Sequence, residues 1–159
     1  MPPPSNPKPK PESNTLPTHI PASHTTNTPP ESFPPPENHG DITWHTLISA
    51  PQTQTSDLSA GIAVCPPRTG HLCAHRHTQA EIYHILDGEG EMIIEGRKFV
   101  VGKGSTVFIP GDAEHGIANV GGGDLRWFYV FPTGSFGDVV YWFSEGGGIG
   151  NGKREKGKL

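Results

Sequence analysis

The sequence is poor in the groups that would announce most functions. It has two cysteines, Cys65 and Cys73, too few for a disulfide framework, so a reducing, cytoplasmic setting is expected, with a single bridge between them left open. No apolar run approaches the length of a membrane span, and no apolar stretch follows the opening Met-Pro-Pro-Pro, so neither a membrane partner nor a secretory leader is expected. Charged residues are only 18% of the chain and form no basic stripe, which argues against nucleic acid. Residues 41–145 carry six Lys/Arg against twelve Asp/Glu, a net charge of −6, while residues 153–158 return +3. There is no G-x-S-x-G, and the glycine runs at 121–123 and 146–148 lack the helix that a phosphate loop needs.

What the chain has in abundance is proline and glycine, 18 and 21 of 159 residues, unevenly placed. Residues 1–40 hold 13 of the prolines, one glycine and one aromatic, Phe33. Such a segment cannot bury enough apolar area to offset its conformational entropy, so 1–40 reads as a disordered Pro/Ser/Thr-rich tail. Residues 41–145 hold the other twelve aromatics and read as one folded domain, and 146–159 as a flexible, Gly-rich, basic end.

Within 41–145, short β-rich runs alternate with turn residues such as Asp87-Gly88, Glu95-Gly96 and Pro110-Gly111-Asp112. Ten strands are expected, over 42–49, 58–65, 71–77, 82–86, 91–94, 98–101, 106–109, 115–119, 125–131 and 139–143. No dozen-residue stretch keeps a 3.6 period free of Gly and Pro. The fold class is therefore all-β, a sandwich or barrel.

The stretch His75-Arg76-His77-Thr78-Gln79-Ala80-Glu81 carries the chemistry. Alternation along a strand puts His75 and His77 on one face, and a turn can bring Glu81 to the same place. His115 is a fourth candidate. Three imidazoles and one carboxylate suit Fe, Mn, Ni, Cu or Zn and leave positions open for water, oxygen or substrate.

These segments resemble the two motifs of the cupin superfamily. Gly70-x4-His75-x-His77-x3-Glu81-x6-Gly88 follows the first, with one residue fewer after the leading glycine. Gly104-x5-Pro110-x-Asp112-x2-His115-x3-Asn119 follows the second, with Asp112 where the family has glycine. The resemblance spans residues 58–131 and implies a small double-stranded β-helix, or jelly-roll barrel. It also implies one divalent metal, Fe(II) first, on His75, His77, Glu81 and His115, and a homodimer acting on a small organic molecule.

Around that site, Glu81 and Tyr83 are the candidate catalytic residues, and Tyr83, two residues after Glu81, shares its face. Cys73 is expected inward with His75. Along Leu125–Phe131, either Trp127, Tyr129 and Phe131 line the cavity as an aromatic wall, or Arg126, Phe128 and Val130 do, with Arg126 holding a carboxylate. The run 139–143 either caps the barrel or forms a subunit interface. For function, an Fe(II)-dependent dioxygenase is expected first. A non-redox isomerase, lyase or decarboxylase comes second, and a non-catalytic binding protein third.

Overall fold

The structure is a computed structural model that describes residues 15–35 and 37–144, and the backbone of 154–157. A four-residue helix, His24–Asn27, precedes eleven strands. They are β1 Thr43–Ile48, β2 Ser59–Cys65, β3 His71–Arg76, β4 Glu81–Asp87, β5 Glu89–Ile94, β6 Arg97–Gly102, β7 Thr106–Ile109, β8 His115–Asn119, β9 Leu125–Phe131, β10 Tyr141–Ser144 and β11 Arg154–Gly157. All ten expected strands are present, with ends shifted by a residue or two. Among the described residues, no helix is long and apolar enough to cross a membrane.

Two antiparallel sheets face each other. One runs β1-β2-β9-β4-β7 and the other β11-β10-β3-β8-β5-β6. Residues on the inner faces alternate with residues facing out, most regularly on β9, where Leu125, Trp127, Tyr129 and Phe131 are buried and Arg126, Phe128 and Val130 are half-buried. Trp127 and Phe131 are almost wholly enclosed, and each such side chain contributes about 1.5–3 kcal/mol through apolar burial. The turns follow their residues. Glu95 and Gly96 both adopt positive φ, 47° and 78°, the two-residue hairpin geometry that joins β5 to β6.

The barrel reaches beyond the expected limits of the folded part. In the segment expected to be structureless through residue 40, Glu31 pairs with Trp44 and Phe33 packs against the core. The physical reason is that a few side chains of a Pro-rich segment find partners on the barrel mouth, which composition alone does not register. At the other end, β11 pairs with β10, although 146–159 reads as flexible. Residues 1–14, 36, 145–153 and 158–159 lie outside the described part of the chain.

Inside β3 the register with β8 shifts between Leu72 and His75. This bulge breaks the two-residue period, so Leu72 lines the interior cavity and His75 still points inward. The expectation that Cys73 shares the face of His75 fails for this reason. Its thiol lies 4.0 Å from the Asn38 carbonyl, under the incoming segment.

Candidate metal centre

The first motif ends on β3 and opens β4, and the second opens β8, so the fold brings their polar residues to one point. His75 on β3 is paired directly with His115 on β8, their ring centroids 4.2 Å apart. His77, one residue past β3, sits 4.9 Å from the His115 ring. Glu81 is the first residue of β4, in the opposite sheet, and sends its carboxylate across the interior. Its Oε2 lies 3.2 Å from His77 Nε2 and 3.4 Å from His115 Nε2, with the carboxylate 2% exposed. All four expected ligands therefore meet inside the barrel.

The hydrogen bonds of the imidazoles decide what they can hold. Each Nδ1 lies 2.8 Å from a backbone carbonyl: that of Cys73 for His75, Gln79 for His77 and Ala113 for His115. A carbonyl only accepts, so each Nδ1 carries the proton and each Nε2 presents a bare lone pair. His75 Nε2 and His115 Nε2 are buried with no hydrogen-bond partner. His77 Nε2 and His115 Nε2 also face a carboxylate oxygen, a repulsive arrangement unless a cation lies between them. Burial, followed by the neighbouring His115 and His77, pulls the pKa of His75 well below 6.5 and keeps it neutral, as a ligand must be. The three imidazoles offer ligand atoms within 4.8 Å of one another, and with Glu81 beside them the donor set fits one divalent transition metal.

The loop of the second motif buttresses this cluster. Asp112 takes φ 62° where the cupin pattern has glycine, a left-handed conformation that aspartate tolerates better than most residues. Its N–H donates to the His77 carbonyl at 2.8 Å, and Arg76 donates to the Asp112 carbonyl at 3.0 Å. Gly111 fits because a Cβ there would run into the Thr78 carbonyl oxygen. The altered motif thus keeps its geometry with glycine displaced by one position.

A narrow cavity of about 20 Å³ opens beside the candidate ligands. Glu81, Tyr83, Trp127 and Tyr129 line it, together with Trp44, Phe136 and Tyr141. Arg126 does not reach it. The alternation of β9 turns Arg126 to the opposite face from Trp127 and Tyr129, so the expectation that Arg126 lines the cavity is corrected. Burial, then the charge of Glu81, holds the phenols of Tyr83 and Tyr141 well above pKa 10, so both are hydrogen-bond donors at neutral pH. Burial raises the Tyr129 phenol likewise, but its hydroxyl packs over Gly61, where a Cβ would collide with it.

Sequence reasoning missed Tyr141, Phe33, Trp44 and Phe136. Tyr141 stacks on His75 at 4.6 Å and 21°. The one available signal was the alternation Val139-x-Tyr141-x-Phe143, all three of which are buried. Other histidines stand apart. His71 bonds to the Thr69 carbonyl and His84 to the Thr106 hydroxyl, both away from the cavity. His45 lies 3.0 Å from the Thr28 carbonyl. Among the described residues Cys65 and Cys73 form no disulfide, and burial pushes Cys65 up to about 12.

Comparison with known proteins agrees with this geometry. The family profile described as the cupin domain matches residues 61–131. The chain is 39% identical over 107 residues to the dimethylsulfoniopropionate lyase DddW of Ruegeria pomeroyi, covering 67% of this chain and 68% of that one. Among solved structures, the polyketide cyclase RemF of Streptomyces resistomycificus superposes with a TM-score of 0.62 at 23% identity, over 74% of this chain and 80% of that one. The oxalate decarboxylase of Lactobacillus farciminis in its formate complex gives 0.57 at 24% identity, over 70% of this chain and 32% of that one. Both structures share the fold. With two motifs in order, their His and Glu side chains gathered in one barrel, and this likeness along two thirds of the lyase, the chain belongs to the cupin family.

Proposed function

We propose that this cupin is a metal-dependent lyase that cleaves a small carboxylate bearing a sulfonium group, as in dimethylsulfoniopropionate, to dimethyl sulfide and acrylate. The observation that carries the reading is the company the ligands keep. The carboxylate of Glu81 and the phenols of Tyr83 and Tyr141 share one aromatic cavity beside three imidazoles whose inner nitrogens are bare. The 39% identity to a lyase supports it. The same ligand set serves an Fe(II) dioxygenase, which the sequence put first. Elimination, however, needs a proton acceptor at the carbon next to the carboxylate and is helped by a donor to the carboxylate itself, roles that Glu81 and Tyr83 would fill.

His75, His77, His115 and Glu81 would hold the ion, with Fe(II) the first candidate and Mn, Ni, Cu or Zn served by the same donors. A bound divalent ion supplies Lewis acidity, polarising the substrate carboxylate. The faces of Trp127, Trp44 and Tyr129 suit the sulfonium, since aromatic rings attract a desolvated cation. Glu81 removes the proton from the carbon next to the carboxylate. The C–H electron pair becomes the new double bond, and the C–S pair leaves with sulfur as neutral dimethyl sulfide. Acrylate remains, with the proton on Glu81. Tyr83 donates to the substrate carboxylate as negative charge grows there. The expelled sulfide has lost the charge that held it against the rings, which favours its release. A homodimer would cover the outer face of β4 and β7, where Ile82 and Phe108 are 42% and 64% exposed.

The test is turnover of dimethylsulfoniopropionate by protein loaded with each of the five metals in turn, with and without oxygen. Dimethyl sulfide and acrylate are expected in equal amounts, at a rate that oxygen does not change. Absence of both products with every metal, or a rate that requires oxygen, would overturn the reading.

A further inference from the structure

We infer that Phe33, delivered by the segment that precedes the barrel, sets the size of molecule that the metal cavity admits. The inference rests on the cavity being the substrate site, and it holds for any carboxylate substrate whatever bond is broken. From Ser32 to Pro34 the chain forms a wall one residue thick. Ser32 and Pro34 border an open surface groove, whereas Phe33 turns the other way and lines the inner cavity. Trp44 and Phe136 belong to both spaces, so this wall stands with those two rings between cavity and groove.

The wall is fastened at two places. The Glu31 carboxylate accepts hydrogen bonds from Trp44 Nε1 at 3.0 Å, the Thr46 N–H at 2.8 Å and the Thr46 hydroxyl at 3.1 Å. Its backbone also pairs with that of Trp44. Farther on, the His39 ring stacks on Phe143 at 3.7 Å, and the His39 carbonyl accepts from the Cys73 N–H at 2.9 Å. Between these anchors Phe33 meets Trp44 at 5.1 Å, Phe143 at 5.5 Å and Tyr141 at 6.4 Å. Tyr141 in turn stacks on His75, so one aromatic layer separates Phe33 from a metal ligand. A half-buried ring in this position bounds the cavity without being enclosed by the core, and truncating it joins cavity to groove.

The experiment compares the full-length, metal-loaded protein with Phe33→Ala, Phe33→Trp and Glu31→Ala. Propionate and 3-phenylpropionate serve as probes, with binding followed by calorimetry and folding checked by melting temperature. Phe33→Ala is expected to shift the affinity ratio at least about tenfold toward the larger acid, the scale on which pocket size discriminates. Phe33→Trp is expected to shift it the other way. Glu31→Ala, which loosens the wall and leaves Trp44 Nε1 without its carboxylate partner, is expected to move it in the direction of Phe33→Ala. If Phe33→Ala does not fold, the other two variants decide. Ratios within twofold of wild type, or equal loss of both acids, would overturn the inference, as would a wild-type protein that binds neither acid. A shifted ratio in a protein that never releases dimethyl sulfide would sustain it while removing the lyase reading.

Discussion

Replacing His115 by alanine abolishes the rise in melting temperature that a divalent metal gives the wild-type protein, and lowers turnover by more than about 100-fold. Disturbing groups that merely orient metal ligands commonly costs 10–100-fold, and on the proposed reading His115 is itself a ligand. The thermal effect follows from linkage. Metal at 100 times its dissociation constant stabilises the native state by about 2.7 kcal/mol, which raises the melting temperature of a domain this size on the order of 10 °C. Without metal, the variant and the wild type melt within a few degrees of each other. The substitution removes packing, but it also removes a bare nitrogen held 3.4 Å from the Glu81 carboxylate. Differential scanning calorimetry with and without metal checks both halves. A variant that still gains stability from the metal like wild type would show that the ion binds elsewhere.

The second large effect separates two tyrosines that the sequence treats alike. Tyr83→Phe lowers kcat by about 10²–10³-fold, the loss expected when a donor aimed at developing charge is removed. Metal affinity stays unchanged, because the phenol is not a ligand. Tyr129→Phe retains activity within a few-fold, since its hydroxyl packs over Gly61 rather than toward the ligands. Steady-state kinetics on the pair, with metal content measured in parallel, gives the comparison. Equal losses in the two variants would mean that the aromatic wall matters and the Tyr83 hydroxyl does not.

The barrel and its four inward polar residues were legible because they follow from local periods. Strand alternation placed His75 and His77 together, Gly and Pro marked the turns, and the spacing to Glu81 and His115 matched known motifs. What escaped depends on pairings between distant parts of the chain. Tyr141 reaches His75 only because β10 lies beside β3, pairing Phe143 with His75 across 68 positions, and no local pattern encodes that neighbour. Phe33 escaped because composition averages over a segment, and the contacts of Glu31 and Phe33 involve few residues. Arg126 and Trp127 were ambiguous for another reason. β9 lies between β2 and β4 with apolar residues on both faces, and only the opposing sheet distinguishes inside from outside. Cys73 was misplaced by the bulge in β3, which cancels the period on which its placement relied.

The most direct measurement is an anomalous-scattering difference map from a crystal of the metal-loaded protein. One peak is expected inside the barrel, about 2.0–2.2 Å from Nε2 of His75, His77 and His115, with a Glu81 oxygen at similar range. A map with no peak among these four residues, from protein shown to contain one metal per chain, would contradict the account.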